Sequence, residues 1–586
     1  MNRNLYIDVL KAIAIIAVVL YHLGTCEYGY LGVDIFLVIA GYYTVKSVEK
    51  QIVNKCKWGG YLQFAVNRLF RLWPLLLLAG AVCLGFGWLM MLPDDFENLS
   101  QSVVATNFFG NNILASITTK NYWDVCNDYK PLMHTWYVGL IMQFYIIVPL
   151  LLFAVGIWAK DVAKRYKVNV ILMALIGVVS FIGYLLEDST AAKFYYLPYR
   201  LYEFSAGGLV FYLCGKKSET VSKCVWTNLG FVIAYMAVIV LLFVDVEYVS
   251  RPTKLFSIVG LTTILLIMMP QAEWAQGKVF SNKLVAAIGA ASFSIFVWHQ
   301  VILAFIRYSF TNNLAEVLPL LAFVGITVVI SVMSYKFVEQ IKKTKQAWML
   351  ICFLLAITTA VSLYIYENAG VIRDVPELEV VKRNVHRGMW AEYCDRAYLY
   401  DREFDDSDKP KWYIIGNSFG RDMVNIILES SIADSVNIVY SYTHDYKNKL
   451  HRLKNADVVF LSNLGSTDEL ITDISSRCAT NAKFYIIGEK NFGENNGQVY
   501  RHRFSKDYHK QTVFMEEGYA EKNERLKAIY PDIYIDMIEM VLQSDGKVRV
   551  FTDDNRFISQ DCRHLTQAGA QFYANMMDWD RFLNKR

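Results

Sequence analysis

Long apolar runs fill the first two thirds of the chain and stop near residue 366. They recur near 5–25, 31–49, 72–92, 136–158, 168–186, 199–215, 226–244, 255–270, 284–306, 315–337 and 347–366. A helix of about 20 apolar residues crosses a bilayer, so the pattern predicts eleven spans. After residue 411 the pattern changes. Short apolar runs, WYII (412–415), VNIVYSY (436–442), DVVFLSN (457–463), KFYIIG (483–488) and IYIDM (533–537), alternate with helical stretches. That alternation predicts a parallel, doubly wound α/β sheet. The expected fold class is therefore a polytopic α-helical membrane bundle followed by an α/β doubly wound domain. Its boundaries read as a membrane domain over 1–340, an eleventh helix within 341–370, a polar connector over 371–410 and the α/β domain over 411–586.

Charge adds a direction. Loops after even-numbered runs hold Lys46, Lys50, Lys55, Lys57, Arg68 and Arg71, then Lys160, Lys164, Arg165 and Lys167, then Lys216, Lys217 and Lys223, then Lys278 and Lys283, then Lys342, Lys343 and Lys345. The opposite loops are acidic or mixed, as in Asp94, Asp95, Glu97, Asp124 and Asp128. Positive charge stays on the cytoplasmic side, so the N-terminus is expected in the cytoplasm and the last domain outside a bacterial plasma membrane. The first run is too long for a signal h-region and no small-residue cleavage site follows, so it is expected to remain as an anchor. Composition agrees, with 55% hydrophobic residues and a mean hydropathy of +0.27. A net charge of +4 with no basic stripe excludes a nucleic-acid binder. Ten cysteines occur without CxxC spacing, so no metal site is expected, and Cys26 with Cys126 is a candidate external disulfide.

The first run, LYIDVLKAIAIIAVVLYHLGT, carries Asp8, Lys11 and His22. Ionisable groups within a span cost about 2.5–3.5 kcal/mol each near its centre and tend to serve function. Eleven residues separate Lys11 from His22, three turns on one helix face, about 16 Å along the axis. Taken alone, these groups fit both an interfacial reading, with Lys11 snorkelling, and a chemical one. His134, in HTWY, reads equally as structural or functional, and His299, in VWHQ, reads as a core hydrogen-bonding group. Arg68 and Arg71 share a face, and a guanidinium pair suits phosphate.

In the last domain the first strand ends in GNSF, placing Ser418 between strand and helix, with a helix expected at 421–430. DCRHLT places Asp561 and His564 before the last helix, with Thr566 as its N-cap. Ligands collect at the carboxyl edge of such sheets. A serine, a histidine and an acid brought to that edge suit a base-activated nucleophile. Asn463, ending the third strand, suits an oxyanion donor beside the Ser418 N–H. The blocks resemble the SGNH-hydrolase superfamily, which implies Ser418 as nucleophile and Asp561 and His564 as its partners. Asn417 stands where that superfamily usually has Asp, and Gly465 comes too late for its second-block glycine.

The membrane half carries K-x10-H, GVDIFLVIAG (32–41), RLFRLWP (68–74), HTWY…QFY (134–145), YRLYEFSAG (199–207), SFSIFVWH (292–299) and SYKFVE (334–339). In this order the motifs resemble the acyltransferase-3 family over residues 1–340, and with the SGNH-like domain the chain resembles bacterial surface-polysaccharide O-acyltransferases. The resemblance implies His22 as the essential histidine, Asp34 as a family acid, and Lys11, Arg68 and Arg71 as donor-handling cations. It also implies acetyl-CoA or another acyl-CoA as donor, a surface or lipid-linked polysaccharide as acceptor, and membrane lipids as surroundings. Lys11 replaces the usual Arg, and Ile141 and Met142 stand where glutamate is common before QFY. A glycan esterase and a transporter without transferase activity are the alternatives.

Overall fold

The computed structural model of the chain describes residues 5–54, 58–118, 127–214, 225–245, 248–268, 282–309, 317–463 and 465–583. Lys55, Lys57, Asp124, Cys126, Lys216, Lys217, Lys223 and Lys278 lie outside them. Two compact units divide the chain: Met1–Phe86 with Leu99–Leu363, and Gly87–Asn98 with Tyr364–Arg586.

In the first unit every apolar run forms helix over most of its described residues. The helices are Leu5–His22, Gly32–Asn54, Trp58–Met90, Trp136–Trp158, Val162–Leu186, Leu201–Cys214, Val225–Phe243, Arg251–Met268, Lys283–Ala290 with Ser292–Ser309, Val317–Phe337 and Lys345–Glu367. Among the described residues seven helices are long and apolar enough to cross a membrane, or eight if the pair Lys283–Ala290 and Ser292–Ser309, bent by 68°, is one span. The region is thus a polytopic, multi-pass membrane region. The third helix starts at Trp58, well before its apolar run at 72, because Phe64 and Phe70 bury one face of its amphipathic first turns. Two helices, Pro93–Asn107 and Asn111–Thr118, occupy a stretch that reads as a polar loop. Buried asparagines anchor them: Asn107 Nδ2 donates to Thr358 and Thr359 at 3.0 Å each, and Asn111 Nδ2 to Thr135 Oγ1 at 2.7 Å.

The Leu5–His22 helix is packed within this unit. Its Ile7, Leu10, Ala14 and Ala17 share a core with Phe231, Val238, Ile258 and Leu265. The Lys283–Ala290 helix lies on its backbone, where a Cβ at Gly289 would sit 1.7 Å from the Asp8 carbonyl oxygen. Only glycine permits that approach. Cys26 Sγ donates to the Leu242 carbonyl at 3.0 Å.

The second unit is built on a parallel sheet. Strands β1 (Lys411–Gly416), β2 (Asn437–Tyr442), β3 (Val458–Ser462), β4 (Lys483–Ile487) and β6 (Tyr534–Ile535) take the order β2-β1-β3-β4-β6, while β5 (Thr512–Val513) pairs with β7 (Val548–Arg549). All four pairings of the larger sheet are parallel, as the strand–helix alternation predicts. Both faces are covered, which is why its strands read as nearly continuous apolar runs. Trp412 and Ile414 face one core with Val424, Ile427 and Tyr573; Tyr413 and Ile415 face another with Leu453 and Ile471. Leu92, Val375 and Ala397 join the first of these cores, so residues read as loop or connector help close the unit.

Candidate functional site

The carboxyl edge of the sheet gathers the α/β domain's candidate groups. β1 ends at Gly416, paired with Tyr442 of β2 and Ser462 of β3, so Asn417, Thr443 and Asn463 follow three adjacent strand ends. A Cβ at Gly416 would meet the Ser462 carbonyl oxygen at 1.9 Å and the Gly420 Cα at 2.7 Å. Glycine there lets the chain turn from strand into helix without a clash. The helix begins at Ser418, not 421, because the Asn417 side chain caps it, accepting the Phe419 N–H at 3.1 Å.

Ser418 Oγ lies 2.8 Å from His564 Nε2. On the far side of the ring, His564 Nδ1 donates to Asp561 Oδ2 at 2.5 Å. Asp561 Oδ1 also accepts the backbone N–H groups of His564 (2.7 Å) and Arg563 (3.0 Å). Burial pushes the Asp561 carboxyl up, but the His564 ring and these hydrogen bonds outweigh it and hold the group well below the usual carboxylate range. Cys562, between them, has φ +68°, a left-handed conformation unusual for a side-chain-bearing residue. Thr566 caps the helix Gln567–Met576, its hydroxyl accepting the Gly569 N–H at 3.0 Å as the sequence predicts.

Asn463 Oδ1 accepts from Thr443 Oγ1 at 2.7 Å, which fixes the amide with its NH2 end turned from Thr443. The Gly465 N–H donates to Glu489 Oε1 at 2.8 Å. One support of the site escapes sequence reasoning: Lys490 Nζ meets Asp422 Oδ2 at 2.6 Å, both buried, and stands 4.1 Å from the centre of the Phe419 ring. Asp422 Oδ2 also accepts the Leu565 N–H at 3.3 Å, tying the Ser418 helix to the His564 segment. Sixty-eight residues separate this pair, and only its place after two strands of one sheet hints at it.

In the bundle three imidazoles come together from three segments. The His22 and His299 ring centroids are 5.2 Å apart, and those of His134 and His299 are 5.3 Å apart. The His299 Nδ1–H donates to the Ile295 carbonyl and the His134 Nε2–H to the Val297 carbonyl, each at 3.1 Å. The Arg307 guanidinium donates to the His22 carbonyl at 2.7 Å. His299 is the core hydrogen-bonding group that its sequence context predicts, and the shared ring cluster also makes it a neighbour of His22. Their motifs, K-x10-H and VWHQ, lie far apart in sequence, and only the fold brings them together. Among the described residues no group of three or more His, Cys, Asp or Glu side chains has the geometry to hold a metal ion.

The other candidates are placed apart from this cluster. Lys11 Nζ lies 3.7 Å from Asp8 Oδ1 and 5.3 Å from the centre of the Tyr43 ring. Asp34 is buried against Arg200 at 2.5 Å, and Arg200 also meets Glu203 at 3.2 Å, a closed ionic group joining two helices. The Arg68 guanidinium stacks between Phe64 and Tyr145, 4.9 and 4.6 Å from their ring centres. Arg71, one turn on, is exposed. Lys343 joins this basic end, donating to Asn67 and lying 5.7 Å from the centre of the Phe70 ring. Gln143 of QFY, past the positions that lack glutamate, accepts from Asn112 at 3.3 Å and donates to it at 2.9 Å.

A family model described as an acyltransferase domain matches residues 4–367. The peptidoglycan O-acetyltransferase OatA of Listeria monocytogenes is 27% identical over 344 residues, 57% of this chain and 54% of that protein. The "Putative membrane-bound transacylase BcsY" of Komagataeibacter xylinus is 27% identical over 345 residues, 58% and 83% of the two chains. A Staphylococcus aureus (strain COL) protein named "Putative O-acetyltransferase" is 26% identical over 352 residues, 57% and 56%. The match thus spans about half the length of the first of these curated relatives. No solved structure matches the chain.

Proposed function

The chain belongs to the acyltransferase-domain family matched over residues 4–367, and from that premise we propose that it moves an acyl group, acetyl in the simplest case, from a cytoplasmic acyl-CoA to a hydroxyl of a surface glycan. Arg68, Arg71 and Lys11 handle the donor's phosphates at the cytoplasmic side. His22 acts on the thioester within the bundle. Ser418 then takes the acyl group outside and passes it to the sugar. His564 removes the serine proton and returns it to the leaving group, Asp561 orients the imidazole, and Asn463 with the Ser418 N–H receives the oxyanion. No step needs a metal.

The observation that carries this reading is the Ser418–His564–Asp561 series, at 2.8 and 2.5 Å, in a chain whose membrane half is an acyltransferase domain. The same triad with water as acceptor would make an esterase. One experiment separates them. Membranes holding the full chain are given acetyl-labelled coenzyme A and surface polysaccharide. Label in the polysaccharide, lost in both His22→Ala and Ser418→Ala, is the expected result. Release of acetate from acetylated polysaccharide without transfer of label would replace the transferase reading with the esterase one. Neither activity would leave the transporter.

A further inference from the structure

Behind His22 stand two imidazoles whose protons are already committed. The His299 Nδ1–H is held by the Ile295 carbonyl of its own helix, so Nε2, on the opposite edge of the ring, carries a bare lone pair. The His134 Nε2–H is held by the Val297 carbonyl, leaving Nδ1 bare. Both bare nitrogens are buried without a hydrogen-bond partner, in residues 0% (His299) and 2% (His134) exposed. A buried acceptor left unpaired is costly, so two in one cluster are an expensive arrangement. They cannot satisfy each other, since neither nitrogen has a proton to give. His299 is the middle ring of the three. Its neighbour His22 is only partly buried, and among the described residues no backbone carbonyl holds the His22 ring. A partly accessible imidazole thus stands beside a buried one whose Nε2 carries no proton and meets no hydrogen-bond partner.

We propose that His299 is the proton acceptor of the bundle's acyl transfer, its Nε2 taking the ring proton of His22 when the acyl group arrives. The proposal rests on the acyl-transfer reading and assigns a task to a residue outside it. The outer His22 nitrogen bonds the acyl carbon as the carbon–sulfur bond breaks, and that electron pair leaves with sulfur. The proton on the other His22 nitrogen moves to His299 Nε2, giving a neutral acyl-imidazole and a His299 imidazolium. The thiolate takes a proton from water and leaves as the thiol. When a hydroxyl attacks the acyl-imidazole, its oxygen bonds the acyl carbon and the carbon–nitrogen bond breaks toward His22. His22 recovers its proton from His299, and the hydroxyl proton returns to water. The sum is thioester plus alcohol to ester plus thiol.

The test uses the purified full-length protein with acetyl-CoA as probe, reading coenzyme A release. His299→Asn keeps an amide N–H for the Ile295 carbonyl and removes the distant nitrogen. His299→Gln reaches further and offers an oxygen that accepts a hydrogen bond but not a proton. We expect kcat to fall about 100-fold or more in His299→Asn, with KM for acetyl-CoA within about threefold, and His299→Gln to regain about tenfold of that loss. A purely structural role would instead leave His299→Asn near parental kcat, or raise KM as kcat falls; either result overturns the proposal. If His299→Asn does not accumulate, His299→Gln decides: a tenfold or larger fall in kcat at unchanged KM supports it, and parental kcat overturns it. A parent protein that releases no coenzyme A overturns the acyl-transfer reading and this proposal with it. An active parent matched by His299→Asn overturns this proposal alone.

Discussion

In the α/β unit the imidazole beside Ser418 is held by a charge: His564 donates to Asp561, which also takes two backbone N–H groups. In the bundle the imidazoles of His134 and His299 are held by neutral backbone carbonyls. Acids of the first unit are engaged elsewhere, Asp34 with Arg200, Glu49 with Arg165 at 3.4 Å, and Asp128 with Arg307 at 3.5 Å. A carboxylate with spare lone pairs in an apolar bundle costs several kcal/mol unless paired. A carbonyl fixes a tautomer without that cost. Both centres orient an imidazole, and the surrounding medium decides whether a charge or a dipole does it.

The most drastic break in this comparison comes from removing each reactive group alone. Ser418→Ala should abolish transfer to glycan but keep coenzyme A release, whereas His22→Ala should abolish both; scintillation counting of polysaccharide and chromatography of coenzyme A check the pair. A His22→Ala protein that still releases coenzyme A would make the bundle a passive partner.

Next is the charge itself. Asp561→Asn should lower the acyl-transfer rate of the α/β unit about 10³–10⁴-fold, as loss of an orienting carboxylate does, measured in single turnover on glycan. The same change has a pH signature. The Asp561 pKa is depressed on folding, so its contribution to stability is whole above the unfolded value of about 3.9 and is lost as pH falls through the folded one. Acid unfolding of the parent should therefore be steeper below about pH 4 than that of Asp561→Asn, followed by circular dichroism.

Smaller effects test the frameworks. Leu92→Ala should destabilise the α/β unit by about 2–5 kcal/mol, lowering its calorimetric transition while leaving coenzyme A release untouched. Asn417→Ala should cost about 1 kcal/mol through loss of the cap, read as a shift in the same transition. If Asn417→Ala also cut glycan transfer a hundredfold, the residue would serve chemistry as well as the helix.

How much of this was legible in the sequence differs between the two centres for a physical reason. Ser418, Asp561 and His564 sit at strand and helix ends, where short local patterns carry the chemistry, and the parallel sheet brings those ends to one edge. The helices of the bundle were equally legible as apolar runs. Their lateral arrangement was not, because eighteen apolar residues look alike whichever neighbours they meet. The contact of His299 with His22 therefore left no local sign, and Pro93–Asn107 read as loop because nothing local shows that Asn107 bonds Thr358 in the interior. Asp422 and Lys490 carry no local sign of their 2.6 Å contact.

Leu92 closes the core of the last domain from a segment made before most of the membrane helices. During translation that segment waits, since the other members of this core emerge only after the Lys345–Glu367 helix. So distant a contact adds to the chain-closure cost of folding this unit. A secreted piece cut at the connector would leave the hollow of Leu92 unfilled. The core of this domain is therefore completed by a segment that lies, in sequence, among the membrane helices.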